Sequence, residues 1–272
     1  MSRNSQKKIA VINDFCGFGR CSLTVSLPVI SALNVQCCPM PTAVFSNHTG
    51  FESFYYTDFT AHMDAYMDEW ERLDLHFDGI LTGFLGSLEQ LDIVERFLRR
   101  FKAEGTIVVV DPVMGDYGAL YSTYPRKLAR QMKRLLPYAD ILTPNLTEAC
   151  ILTGTEYRAD MDQETLAEVC RSLSAMGPDR IVISGLERGD SLENFVYEAG
   201  KEPVQIREHK AGPFRSGTGD VFSSILAADA VKGVCLTDSV RHASAFIAKA
   251  LRRTMELDMP KTDGICFEEF LK

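Results

Sequence analysis

Thr106-Ile107-Val108-Val109-Val110-Asp111-Pro112-Val113-Met114-Gly115-Asp116 is the stretch that decides the fold. Its first five residues are all β-branched and four are apolar, so the segment has no wet face. A strand that is apolar on both sides is buried on both sides, as in a parallel sheet covered by helices. Polar residues begin abruptly at Asp111. In an open parallel sheet, ligands bind beyond the carboxyl ends of the strands, where such residues collect.

The same pattern recurs in both directions along the chain. Residues 8–13 (KIAVIN), 35–39, 79–82, 141–143 and 180–184 (RIVIS) read as further short strands. Helical periodicity covers 21–32, with a bend or break at Pro28, then 63–73, 88–103, 126–136, 147–152, 163–176, 220–231 and 236–255. Residues 194–197 and 204–207 read as an antiparallel pair around Ala199-Gly200, 42–50 as a polar loop, and 51–59 (FESFYYTDF) as a small extended flap. Repeated strand–helix units predict an α/β fold, a mostly parallel sheet with helices on both faces. No repeat, low-complexity segment or linker divides the sequence. The expectation is one domain over 1–272 with a flap at about 45–60.

The composition suits a globular protein: 272 residues, 46% apolar and 24% charged, are ordinary values and enough for a full core. A net charge of −8 with no Lys/Arg block makes nucleic acid and anionic membrane poor partners. No apolar run reaches the length of a membrane span. Residues 1–8 are polar and lead straight into a strand, so no signal peptide is expected. The cysteines at 16, 21, 37, 38, 150, 170, 235 and 266 form no C-x-x-C pair. They suit reduced, mostly buried thiols and a cytoplasmic location rather than a disulfide framework or a zinc site.

The residues that follow the strands carry the chemistry. Asp14 follows the first strand, Asp111 and Asp116 the central one, Asn145 and Glu148 the next, and Ser184 the last parallel one. Taken singly, the aspartates fit strand-end turns, and Asn145 with Glu148 fits a capping box. Gathered on one rim, like charges repel unless a cation or a proton transfer justifies them. Mg2+ beside a nucleotide triphosphate would do so. Gly217-Thr218-Gly219-Asp220 opens an amphipathic run. Free N–H groups and the helix dipole at such a start hold a phosphate or a developing oxyanion. Asp220 would repel a plain anion, but it makes sense as a base for an attacking hydroxyl. The plainer reading of the turn is a helix start with a capping aspartate. His48, in Ser46-Asn47-His48-Thr49 ahead of the aromatic flap, suits recognition of a small polar ring, although a lone His is more often structural. The chain has no P-loop and no G-x-S-x-G elbow, and Gly17-Phe18-Gly19 lacks the third glycine of a dinucleotide turn.

FSNHTGF at 45–51, TGFLGS at 82–87, DPVMGD at 111–116, TPNLTEA at 143–149, and HK followed by GTGDVF within 209–222 occur in this order. In these motifs, which span most of the chain, the sequence is similar to the pyridoxal (pyridoxine/pyridoxamine) kinases of the ribokinase-like superfamily. The resemblance implies a three-layer α/β/α fold, a homodimer, and ATP-dependent phosphorylation of the 5′-hydroxymethyl group of vitamin B6 vitamers. It implies Asp220 as general base and the amides of Gly217, Thr218 and Gly219 as anion hole. Asp111, Asp116 and Glu148 would organise Mg2+ and the phosphates, with Thr143, Asn145 and Ser184 beside them. His209, Lys210, Phe214 and Ser216 would line the nucleotide side. Asp14, Phe45, His48, Thr49 and Phe84 would face the pyridine ring. A monovalent cation (K+ or Na+) is also implied.

The chain departs from the resemblance in two places. Asp14-Phe15 stands where Ser-His is common, and Phe84 where Tyr is common. An acid after the first strand resembles the related hydroxymethylpyrimidine kinases of thiamine synthesis. Pyridine and pyrimidine substrates therefore both stay open, as does a B6-binding protein with vestigial activity.

Overall fold

The computed structural model describes residues 6–121 and 124–271. The expected polar leader at 1–8 lies in part, over 1–5, outside the described residues. In chain order the strands are β1 (Lys8–Phe18), β2 (Gln36–Asn47), β3 (Tyr56–Asp58), β4 (Gly79–Thr82), β5 (Ile107–Val110), β6 (Gly115–Asp116), β7 (Ala119–Leu120), β8 (Ile141–Leu142), β9 (Arg180–Arg188), β10 (Ser191–Glu198) and β11 (Val204–His209). The helices are α1 (Leu23–Ala32), α2 (Thr60–Arg72), α3 (Leu88–Phe101), α4 (Arg126–Gln131), α5 (Leu146–Thr153), α6 (Gln163–Ser174), α7 (Thr218–Val231) and α8 (Leu236–Glu256).

A nine-stranded sheet runs in the order β11-β10-β9-β8-β5-β4-β1-β2-β3. From β9 to β2 its pairings are parallel, while β10–β11 at one end and β3 at the other are antiparallel. The central strands bury alternate residues in two separate cores. Ala10, Ile12, Ile80, Val108 and Val110 pack with α2–α6. Ile9, Val11, Leu81 and Val109 pack with α1, α7 and α8. The result is the expected three layers. The chain leaves β1 in one direction to β2 and returns on its other side as β4. That reversal is a topological switch point, where open α/β sheets bind ligands.

Three expectations are corrected. The polar loop over 42–50 is strand as far as Asn47, because β1 itself continues to Phe18 and pairs with it. The polar side chains there are used locally: Ser46 Oγ accepts from the Tyr55 amide and Asn47 Nδ2 donates to Ser53 O. Helix α1 runs unbroken through Pro28, which forfeits only the bond to the carbonyl four residues back while Val25, Val29 and Ile30 stay buried around it. The basic helix over 126–136 is α only to Gln131 and continues as a 3-10 helix, Met132–Tyr138, with Pro137 inside.

The first of these cores, on the α2–α6 side, is held by packed rings. Phe97 is fully buried, with its ring 4.5 Å from Phe101, 6.1 Å from Trp70 and 6.3 Å from Phe77. Phe97→Ala is expected to cost about 3–5 kcal/mol in denaturant unfolding, with an unchanged m-value, because the cavity cannot collapse against three other rings.

Candidate active site

The Gly-rich turn becomes the start of α7. Gly217 is the N-cap with φ +87°, and Thr218, Gly219 and Asp220 form the first helical turn. Only glycine fits at 217, where a Cβ would lie 2.3 Å from the Arg20 carbonyl oxygen. A Cβ on Gly219 would meet nothing within 4 Å. Open space therefore faces the helix N-terminus, where the first amides lack partners inside the helix. The turn is braced from behind: Thr218 Oγ1 donates to Arg215 O, and the Ile265 amide donates to Ser216 O.

Asp220 is half-buried, and Asn13 Nδ2 donates to its Oδ1 at 3.2 Å. Desolvation raises its pKa, opposed by the Ser22 amide and by Asn13. Asp14 is buried beside it, and its pKa is pushed up to about 7 by desolvation and by the Asp220 charge, against a Ser22 hydroxyl that favours ionisation. Ser22 serves both acids. It holds φ +58°, ψ −139°, a conformation that glycine adopts more readily.

Beyond β5 and β8 lie the other carboxylates. Asp111 is buried, and desolvation followed by the charges of Glu148 and Asp220 holds its pKa well above the usual range. Ser223, one turn into α7, hydrogen-bonds it. Asn145 and Glu148 form the full capping box of α5. Glu148 also accepts from the Met114 amide at 3.1 Å, and burial pushes it up to about 8 despite these donors. Asn145 Nδ2 donates to Gly115 O, and Asn145 bridges to Ser184 on β9. Thr143 is buried with its hydroxyl toward Val110 O. Asp116 stands in the β6–β7 hairpin, whose turn residues Tyr117 and Gly118 both have positive φ. Desolvation raises its pKa, countered by the Tyr117 amide.

Asp111, Asp116 and Glu148 thus share one rim with Asp14 and Asp220, and none of the five makes an ion pair among the described residues. The expected three-carboxylate metal set is not a ready cage: among the described residues no three such side chains converge on one point. The donor chemistry still fits a hard, hydrated cation that brings phosphate oxygens and waters with it.

The ring side is aromatic. Phe45 stacks on Tyr56 at 5.2 Å and approaches Phe54 at 5.9 Å and Phe84 at 6.4 Å. His48 plays a different part from the one its sequence neighbours suggest. Its Nδ1 accepts from the Gly50 amide at 3.1 Å and its Nε2 lies 2.7 Å from Thr262 O, so both ring nitrogens are used on main chain. Thr49 is exposed at the flap turn. On the opposite side Lys210 Nζ pairs with Glu187 at 2.6 Å, and His209 Nδ1 is 3.8 Å from Asp190 Oδ2. Phe214 is exposed.

Sequence reading missed Asn13, Ser22, Ser223 and Tyr121. Asn13 and Ser22 flank quoted residues and carry no motif of their own. Tyr121 is partly exposed, and after desolvation the fields of Glu148, Asp116, Asp111 and Asp220 drive its phenol upward.

The model of the phosphomethylpyrimidine kinase family matches residues 25–264. A pyridoxal kinase of Arabidopsis thaliana is 31% identical over 240 residues, covering 84% of this chain and 75% of that protein. A thiamine biosynthetic bifunctional enzyme of Arabidopsis thaliana is 30% identical over 239 residues, covering 84% of this chain and 43% of that longer protein. A crystal structure from Bacteroides thetaiotaomicron, assigned as a phosphomethylpyrimidine kinase and obtained in a form with pyridoxal, has a TM-score of 0.93 and 36% identity, covering 98% of this chain and 94% of that one.

The two glycines of the turn should respond oppositely to alanine. Gly217→Ala forces a strained φ and a clash, so thermal unfolding should show a loss of at least about 1–3 kcal/mol. Gly219→Ala should leave stability unchanged or raise it by up to about 1 kcal/mol, while calorimetry shows weakened binding of a nucleotide triphosphate.

Proposed function

The chain belongs to the phosphomethylpyrimidine kinase family of ribokinase-like kinases, and from that premise we propose that it transfers the γ-phosphoryl group of ATP to the 5′-hydroxymethyl group of vitamin B6 vitamers. The observation that carries this reading is Asp220 in the first turn of α7, at an open helix N-terminus and tied through the Asn13 side chain to the Phe84 amide. Pyridoxal in the crystal of the 36%-identical relative supports the choice of substrate.

The substrate ring stacks against Phe45 and Phe84 beside Asp14, with its hydroxymethyl oxygen near Asp220. Asp220 accepts the hydroxyl proton as that oxygen attacks the γ-phosphorus in line with the departing ADP. The amides of Gly217, Thr218 and Gly219 hold the equatorial oxygens, whose charge develops during transfer. The flap and the stacked rings exclude water, so the phosphoryl group goes to the vitamer. His209, Lys210, Phe214 and Ser216 line the adenosine side, with Thr143, Asn145 and Ser184 toward the phosphates. Asp111, Asp116 and Glu148 would hold Mg2+ largely through water, and the bound ion would supply countercharge to the phosphate oxygens. A monovalent cation (K+ or Na+) completes the proposed charge balance.

His48 acts here by fixing the root of the flap. The whole chain is read as one kinase domain, cytoplasmic and homodimeric. Exposed Phe15, Phe18, Phe54, Tyr55 and Tyr56 beside β3 offer an apolar face for a second copy. Among the described residues no helix is long and apolar enough to cross a membrane.

A second reading, hydroxymethylpyrimidine kinase, is favoured by one observation: the buried acid Asp14 at the ring site. It differs only in the ring recognised. An ATP-coupled assay across pyridoxal, pyridoxine, pyridoxamine and hydroxymethylpyrimidine separates the two, with the highest kcat/KM expected for a B6 vitamer. No ADP formation with any of the four would leave only a binding protein. Asp220→Asn should lower kcat by about 10²–10⁴ with ATP binding retained. An unchanged kcat in the folded variant would remove Asp220 from the role of base.

A further inference from the structure

Asn13 ends the regular part of β1, where its register with β2 shifts between Asn13 and Phe15. It lies at the switch point between β1 and β4 and is only 5% exposed. Its Oδ1 accepts two main-chain hydrogen bonds, from the Asp14 amide at 3.0 Å and from the Phe84 amide at 2.8 Å. Those two donors fix which end of the amide is oxygen, since the NH2 group could not face them. The NH2 end is therefore turned the other way, and it donates to Asp220 Oδ1 at 3.2 Å.

Space for this arrangement comes from Gly83. A Cβ there would lie 2.5 Å from Asn13 Cγ and 2.6 Å from both its Oδ1 and its Nδ2. A strand irregularity, a glycine and two main-chain donors thus converge on one side chain. Their joint effect is to aim a single N–H at a carboxylate 207 positions later in the chain.

We propose that Asn13 is a positioning residue for phosphoryl transfer: its amide ties down one oxygen of Asp220 and leaves the other to take the hydroxyl proton. This rests on the reading of Asp220 as general base. The same amide is bonded to the backbone of Asp14 and Phe84, two residues of the ring site. The place of the substrate ring and the aim of the base are therefore set by one group, and the attacking oxygen meets the base without a separate adjustment.

The arrangement also acts on the protonation of the base. A donated N–H favours the carboxylate over the acid, so its removal moves Asp220 ionisation to higher pH. The titratable groups that face Asp220 are Asp14 from β1, Cys21 from the turn before α1, Asp111 beyond β5 and Tyr121 after β7. None of them is positively charged, and the donors Asp220 has from other residues are the Asn13 and Ser22 N–H groups.

The test is the pH profile of kcat/KM for pyridoxal phosphorylation in the wild-type chain, N13A and N13D. In N13A the acid limb should move up by about one to two pH units, the scale of one hydrogen bond to a carboxylate. Activity below the limb should fall about tenfold per unit, recover toward the wild-type value above it, and leave KM for ATP unchanged. N13D keeps the side-chain shape and both main-chain bonds but turns a carboxylate oxygen toward Asp220. It should move the limb further, because two close carboxylates share a proton, and it reads the effect even if N13A unfolds. Repeating the series in a D14N background removes the titration of Asp14 itself, and the shift should persist. A limb that stays in place in both variants overturns the role of Asn13 while leaving the kinase reading intact. A wild-type chain that phosphorylates no B6 vitamer and no hydroxymethylpyrimidine is the different result that overturns the kinase reading.

Discussion

Five carboxylates stand on one rim of the sheet and, among the described residues, none of them has an ion-pair partner; the rest of the site depends on that imbalance. Asp14, Asp111, Asp116, Glu148 and Asp220 all have raised pKa values, and desolvation is the leading cause in each. A purely structural rim would have evolved lysines or been thinned out, because buried like charges destabilise a fold. The imbalance becomes useful once a phosphate chain and its countercations enter. In the proposed reaction the acids would then meet positive charge, the helix N-terminus would meet negative charge, and the one acid beside the amides would be free to move a proton. The proposed chemistry is a division of one negative rim into a cation side and a proton side.

The main chain enforces that division through close approaches. Gly217 sits against Arg20 O, and Gly264 against the Arg20 side chain and Ser216 O. Arg20 also bonds Glu268 and Asp263 O, while His48 reaches Thr262 O. The segment 261–268 therefore touches the β1–α1 turn, the flap and the glycine-rich turn before α7 together. Three elements distant in sequence are fixed relative to one another by a short C-terminal stretch that carries no chemistry itself. Exposed ion pairs such as Arg20–Glu268 contribute little singly. Their value here is in orientation.

The layers and central strands were legible in the sequence because burying both faces of a strand leaves a compositional mark, as 106–110 and 180–184 show. The start of α7 and the capping box of α5 were legible because each needs particular residues at fixed spacing. The course of β2 was not. The strand expected over 35–39 stops at Pro39, short of Pro41, yet residues two apart point to the same side. The Gln36 amide bonds Lys7 O on the β1 side, so both prolines turn their missing N–H to the open side, where the sheet has no partner before Ala43. The β6–β7 hairpin was also hidden, since two-residue strands carry no periodicity. At the site, the carboxylates could be collected by position after the strands. Asn13 and Ser22 could not, because their roles come from the conformation of a strand end and a positive φ, which residue type alone does not reveal. His48 shows the converse: its neighbours advertise ring binding, and its nitrogens hold the backbone.

The most direct measurement is proton release on nucleotide binding. Burial pushes Glu148 up to about 8, so it retains protons at pH 7, and burial raises Asp111 as well. Metal–phosphate binding must strip those protons if the rim is a cation site. Titration calorimetry of Mg2+ with a non-hydrolysable ATP analogue, run at pH 7 in buffers of different ionisation enthalpy, counts them. Release of about one proton or more per chain, reduced in Glu148→Gln, is the result predicted. Binding heat that is the same in every buffer would contradict the assignment of the acidic rim to the metal–phosphate side of the reaction.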